Sequence, residues 1–177
     1  MKTTNEELAI TLENILKDNK DKRICVCGVP CTGKTTLIKQ FPDCLDLDEL
    51  NYAILPENVR TGLFGQAAAK TTFIEAEAAV GEWTDEIQTG WQEYIDKTVK
   101  EFQVQPGQPI FCIEPFVNCD LIIYLDIDSE LLIERAKKRN QIPEFIVGMK
   151  QGLKEQIVKT GRPVINLQFG ADNSCPL

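Results

Sequence analysis

The residues best placed to do chemistry are Gly28-Val29-Pro30-Cys31-Thr32-Gly33-Lys34-Thr35, spaced G-x-x-x-x-G-K-T. A loop bounded by glycines can turn its backbone N–H groups inward and make a concave anion site. A helix expected to begin near Lys34 adds the unpaired N–H groups and the positive end of its first turn. The Lys34 ammonium reaches β- and γ-phosphates, and the Thr35 hydroxyl is available to Mg²⁺. Gly28, Pro30, Cys31, Thr32, Gly33, Lys34, Thr35 and Thr36 form the expected phosphate cradle. Ile24, Cys25, Val26 and Cys27, just before it, are apolar and partly β-branched, which suits a buried parallel strand. Strand, loop and helix in that order imply a nucleoside triphosphate site.

Carboxylates come next in the chain. Cys44-Leu45-Asp46-Leu47-Asp48-Glu49-Leu50 predicts a short strand with acids at its C-terminal end. In an open α/β sheet that end faces the ligand crevice. Asp46 and Asp48, one strand period apart, would then project together. Glu114 ends another apolar run, Ile110-Phe111-Cys112-Ile113. Two cations, Arg135 and Arg139, have the R-x-x-x-R spacing that shares one helical face. Arg60 is the only arginine between the loop and Arg135.

Composition removes competing chemistries. The chain has no histidine, which excludes Ser-His-Asp hydrolysis, histidine-ligated zinc and histidine acid–base catalysis. Its seven cysteines are an odd number, and Cys25, Cys27, Cys44 and Cys112 lie in apolar runs, favouring reduced buried thiols. Cys25, Cys27 and Cys31 lack the paired spacing of a zinc site. Cys31 stands apart inside the loop: an ordinary loop residue is the first reading, and the alternative is a thiol whose pKa is lowered by the helix N-terminus beside it, where oxidation would block nucleotide binding. A net charge of −8 argues against broad adhesion to nucleic acid. No apolar run approaches the length of a membrane span, and the acidic start lacks the apolar core of a signal peptide, so cytoplasmic residence is expected.

The elements that must position these residues read as one α/β domain of 177 residues. A helix is expected over residues 4–16, with Thr4 and Glu7 as a capping box. A short helix over 35–40 follows the loop. Residues 50–103 predict a helical insertion broken near Gly81 and Gly90, whose Trp83 and Trp91 are core residues or a base-stacking surface. Strands are expected over 110–114, 120–126 and 162–167. Residues 115–119 are too short for a crossover helix, so the link either steps across an intervening strand or reaches the next strand differently. Ser129 is expected to cap one helix; Pro143 starts another that ends at Gly161. Residues 170–177 read as a loose tail.

Four of these pieces resemble the P-loop kinases of small molecules, the group of adenylate, shikimate and gluconate kinases. They are GVPCTGKT, the DLD segment, DLIIYLDID and ERAKKR, across residues 23–167. The resemblance implies a five-stranded parallel sheet in order 2-3-1-4-5 flanked by helices, a substrate-binding insertion at about 50–103 and a lid at about 135–150. By the same likeness Asp48, or Asp46, accepts a proton from an attacking hydroxyl or holds Mg²⁺ through water, and Glu114 sits near the metal. Arg135 and Arg139 resemble lid arginines. Glu114-Pro115-Phe116 replaces the Asp-Gly-Phe-Pro-Arg segment of adenylate kinase, which favours an acceptor hydroxyl over a monophosphate. Arg60 remains available to an acceptor phosphate. A weaker likeness, through Asp48-Glu49-Leu50-Asn51-Tyr52, is to polynucleotide kinases, which commonly carry an arginine where Asn51 stands.

The expectation is therefore an ATP- and Mg²⁺-dependent kinase acting on a hydroxyl of a small molecule or nucleoside, as monomer or homodimer. Catalytic roles fall to Lys34, Asp48, Arg135 and Arg139; metal binding to Thr35, Asp46 and Glu114; acceptor binding to Asp46, Asp48 and Arg60. The alternatives are a kinase of polynucleotide ends or hydroxymethylated DNA, and a nucleotide switch without an acceptor.

Overall fold

A computed structural model describes residues 5–170. Thr4 of the expected capping box and residues 171–177 of the expected tail, Cys175 among them, lie outside the described residues. The chain divides into two compact units: one runs to Cys44 and resumes at Gln103, and the other is Leu45–Phe102.

The first unit carries β1 (Ile24–Cys27), β3 (Ile110–Cys112), β4 (Leu121–Ile127) and β5 (Val164–Phe169). With the two-residue β2 (Leu45–Asp46) the sheet order is β2-β3-β1-β4-β5, as expected, and the strand pairs of the first unit are parallel. Every residue of β1, β3 and β4 is buried, which explains their continuous apolar sequence. At the β5 end, Val164 and Asn166 are less buried than Leu167 and Phe169. Helices flank the sheet: α1 (Asn5–Asp18), α2 (Lys34–Ile38), α7 (Ser129–Lys138) and α8 (Pro143–Thr160). Leu8 and Leu12 of α1 are buried, consistent with the helical spacing read for them.

β3 and β4 both pair with β1, in the registers Cys27↔Cys112 and Cys27↔Tyr124. The link 113–120 therefore steps across β1 without a helix. Buried Phe116 anchors it, and Asp120 closes it. The Asp120 carboxylate accepts from Arg23 N at 3.0 Å and Arg23 Nε at 2.8 Å, tying the start of β4 to the start of β1. Those bonds hold the Asp120 carboxyl well below the usual range.

The second unit is helical after β2: α3 (Leu47–Ile54), α4 (Glu57–Phe64), a 3₁₀ turn (Gly65–Ala69), α5 (Phe73–Val80) and α6 (Asp85–Glu101). Its core is aromatic. Phe73 stacks on Trp91 at 4.6 Å, and Phe64 meets Tyr52 and Trp91 edge-on at 5.4 and 5.5 Å. The Glu49 carboxylate accepts from Phe73 N at 2.7 Å and Ile74 N at 3.1 Å, capping α5 from α3.

Three expectations need correction. The second strand ends at Asp46, because its side chain accepts from Asp48 N at 2.9 Å and starts α3 there. Asp48 is thus in a first helical turn and does not alternate with Asp46 along a strand. Gly81 does end α5, at φ 81°, but Gly90 lies inside α6. There a Cβ would fall 2.5 Å from Leu63 Cδ2, so this glycine serves close helix packing rather than a break. Asp128, not Ser129, caps α7 by accepting from Glu130 N at 2.9 Å.

Candidate functional site

β1 lies between two strands, and its C-terminal end delivers the loop. Gly28 N donates to Cys112 O at 3.1 Å, so the loop leaves while still tied to β3. A Cβ at Gly28 would lie 2.9 Å from Thr32 Oγ1 and 3.3 Å from Leu125 Cβ, which leaves room only for glycine. Thr32 is buried, and its hydroxyl donates to Val29 O at 2.7 Å, closing the base of the loop. Cys31 and Gly33 take left-handed backbone, φ 66° and 96°. Thr36 N and Leu37 N then donate to Gly33 O, both at 3.0 Å, as α2 begins.

Cations gather on this loop. The Lys34 ammonium folds back and donates to the carbonyl oxygens of Gly28 and Val29, the latter at 3.1 Å. Arg135, from α7, donates through Nη1 to Thr32 O at 2.9 Å. Its guanidinium is close enough that a Cβ on Gly33 would lie 3.2 Å from Nη1. Burial lowers the Arg135 pKa, partly offset by Cys31 and Glu134. Arg139 is the residue just past α7, not part of the helix, yet it too acts on Cys31. Both expected arginines are therefore brought to the loop, one as a direct hydrogen-bond donor.

Cys31 follows the ordinary-residue reading rather than the activated-thiol alternative. Burial pushes its thiol pKa up, and the opposing pull of Arg139, Lys34 and Arg135 does not reverse this. Its Sγ donates to Gln141 Oε1 at 2.9 Å. The helix terminus does not lower it because Cys31 is buried, and a buried thiolate loses its hydration. The other described cysteines are reduced, and all but half-buried Cys44 are buried.

The acids are distributed differently from their sequence reading. Glu114 follows Cys112 by two residues, beyond the same C-terminal end of the parallel strands from which the loop leaves. Asp46 and Asp48 belong to the second unit, where Asp46 spends one carboxylate oxygen on the α3 cap. Arg60 is also in that unit, 5.4 Å from the Tyr52 ring centroid. Trp91 is committed to the aromatic core, while Trp83 donates through Nε1 to Gln88 Oε1 at 2.7 Å. Among the described residues no group of three or more Cys, Asp or Glu converges as a metal site.

Sequence reasoning missed a polar cluster at the C-terminal end of β4. Asp126 is 8% exposed and meets Lys150 Nζ at 2.9 Å and Lys154 Nζ at 3.1 Å, both from α8. Lys150 also donates to Ile127 O at 2.6 Å. The only signal was one acid within an otherwise apolar strand, Asp126 in LIIYLDI, with lysines four apart on a later helix. Gln141 was missed as well, because nothing in its local sequence points to a thiol more than a hundred residues away.

No family model matches the chain, and no curated protein sequence does. Among solved structures it is similar to the crystal structure of TT1252 from Thermus thermophilus, with 16% identity over 85% of this chain and 88% of that one, at a TM-score of 0.42. No helix among the described residues is long and apolar enough to cross a membrane.

Proposed function

We propose that the chain is a P-loop phosphotransferase that binds ATP on the 28–35 loop and transfers its γ-phosphoryl group to an acceptor hydroxyl. The observation that carries this reading is the placement of Lys34 and Arg135 on one loop. An ammonium bonded to Gly28 O and Val29 O and a guanidinium bonded to Thr32 O bracket a turn at a helix start. Such a cation pair favours a polyphosphate there, since both side chains can exchange carbonyl oxygens for charged phosphate oxygens.

Mg²⁺ fits this site in the manner usual for that ion, through one or two protein oxygens, water and substrate phosphates. Thr35, in the first turn of α2 and half-buried, would hold it, with Glu114 as a water-mediated partner. When bound, the metal neutralises charge on the β- and γ-phosphate oxygens. The chain's own residues do the rest by positioning and charge stabilisation. Lys34 and Arg135 hold the equatorial oxygens of the moving group, and Arg139 adds positive potential beside Cys31. The acceptor falls to the second unit, where the sequence reading assigns Asp48 to orient or deprotonate the hydroxyl.

The test is ATP consumption by the full chain across nucleosides, nucleotides, sugars and DNA ends. Acceptor-dependent turnover that disappears in Lys34→Ala supports the reading. Slow hydrolysis indifferent to every acceptor would overturn it in favour of a nucleotide switch.

A further inference from the structure

β5 is an edge of the sheet, and among the described residues it pairs with β4 alone. Ile122 N donates to Pro163 O at 3.0 Å, and Asp128 N donates to Phe169 O at 2.7 Å. Backbone groups alternate sides along a paired strand, so residues 163, 165, 167 and 169 turn theirs toward β4. Val164, Asn166 and Gln168 therefore each turn one N–H and one C=O toward the open edge. Edge strands are ordinarily protected by a charge, a proline, a bulge or a covering element. Val-Ile-Asn-Leu-Gln-Phe has no charged residue and no proline, and its register with β4 runs unbroken from Ile122↔Val164 to Ile127↔Phe169.

Val164, Asn166 and Gln168 are exposed, while Leu167 and Phe169 are buried. Apolar surface continues past the start of the strand. Val117 is 67% exposed and Val158 77%, and Arg162 Nη2 donates to Val117 O at 3.2 Å, which sets Val117 beside the entry to β5. Charge decides what the edge receives. Lys159 and Arg162, both exposed, lie just before the strand. Asp128, tied to Phe169 O, and exposed Glu130 lie at its far end. A second copy running antiparallel sets each basic end against an acidic one, across roughly two strand spacings, about 10 Å and close to a Debye length. A parallel copy would set like against like.

We propose that β5 is a homodimer surface, on which a second copy of this chain adds its own β5 antiparallel across a two-fold axis. The register follows from the outward residues. Val164 pairs with Gln168 of the second copy, and Asn166 meets its own counterpart on the axis. Each such pair exchanges two backbone hydrogen bonds. The two Asn166 amides, each both donor and acceptor, bond one another across the strands. Pairing consumes the same edge on both copies, so the contact closes at two. The surface lies in the first unit and does not depend on the phosphotransferase reading.

Sedimentation velocity of the full chain from about 1 µM to 1 mM tests this, and a dimer with a Kd of about 10–100 µM is expected, the scale of a small interface. Asn166→Pro deletes the outward N–H on the axis, at an edge position that tolerates proline, and should leave a folded monomer. Asn166→Lys and Asn166→Asp each set like charges against one another on the axis. Each should be monomeric alone, and the two should form a mixed dimer when combined. Amide hydrogen exchange reads the wild type directly: Val164, Asn166 and Gln168 should exchange more slowly as concentration rises. That measurement carries the test if the variants do not fold. A wild type that stays monomeric over the whole range would overturn the proposal. So would a dimer that persists in each Asn166 variant alone, or a lysine–aspartate mixture that stays monomeric. Protection of the three amides independent of concentration would place a segment of the same chain on the edge and overturn it equally.

Discussion

Arg135 Nη1 donates to Thr32 O at 2.9 Å, so a residue on α7 is fastened to the loop between β1 and α2. The two lie far apart in sequence, and the contact is what places a second cation beside Lys34. Partial burial lowers the Arg135 pKa without bringing it near neutrality, since guanidinium stays protonated in proteins. Replacing it by lysine keeps a charge but loses the planar fork. Arg135→Lys is therefore expected to behave much like Arg135→Ala, each lowering kcat by roughly a hundredfold or more if the residue acts on the transferring group. Steady-state kinetics with a functional acceptor checks this. A fully active lysine variant would assign Arg135 to loop architecture alone.

Lys34 makes a different prediction, because its ammonium is held by Gly28 O and Val29 O. Those carbonyls face water or neighbouring N–H groups once the side chain is removed, so Lys34→Ala should fold with little loss. Ligand linkage should disappear. ATP at about a hundred times its Kd raises stability by about 2.7 kcal/mol, which for a chain of this size is a rise of roughly 5–10 °C in Tm. Thermal melts with and without MgATP are expected to show that rise in the wild type and none in Lys34→Ala. An equal rise in both would place nucleotide binding elsewhere.

The loop and the sheet were legible in the sequence because each rests on local rules. Ile24–Cys27 and Leu121–Ile127 are continuous apolar runs, and strands buried on both faces have that signature. The short link read at 115–119 left only a step across another strand or an unspecified alternative, and the registers of Cys27 with Cys112 and Tyr124 settle on the step. What failed was decided by side chains competing for backbone. Asp46 could continue a strand or cap a helix, and period-two spacing with Asp48 does not distinguish these; the cap wins. Gly90 reads as a breaker until Leu63 is seen against it. Asp126 and its two lysines left only a lone acid in an apolar strand as a signal, because an ion pair between strand and helix leaves no periodic trace.

Cys31 combines a left-handed backbone, φ 66°, with a thiol whose pKa burial raises. Two outcomes follow. Alkylation by iodoacetamide at neutral pH should be slow at Cys31, speeding only as pH rises past that of an ordinary thiol. Among substitutions, Cys31→Gly relieves the backbone while losing the Gln141 contact, so its net effect should be small. Cys31→Val brings a β-branched side chain into the left-handed region and should be about 1–2 kcal/mol less stable than the glycine variant. Urea midpoints of the two variants test the order. A valine variant as stable as the glycine one would remove backbone strain from the account.

Asp126 contributes to the acid limb of stability, as Asp120 does. Burial pushes its carboxyl upward, but hydrogen bonds from Lys150 and Lys154, with their charges, outweigh it and leave the group below the usual range. A folded pKa below the unfolded value means the unfolded chain binds the proton first as pH falls. The contribution is therefore fully present above about pH 4, the ordinary aspartate value, and declines as pH drops through the folded pKa. Asp126→Asn keeps the shape but leaves Lys150, only 13% exposed at its side chain, facing a neutral amide. Removing one partner of a buried pair costs about 3 kcal/mol or more, much of it the penalty of the stranded charge. The variant should thus be less stable than the wild type at pH 7, and the gap should narrow as pH falls below 4. Removing Lys154 alone, which is 42% exposed, should cost far less, because water can take its place at Asp126 Oδ2. Denaturant titrations of Asp126→Asn, Lys154→Ala and wild type across that pH range carry the test. A stability gap independent of pH would show that the asparagine variant loses packing rather than an ionised carboxylate.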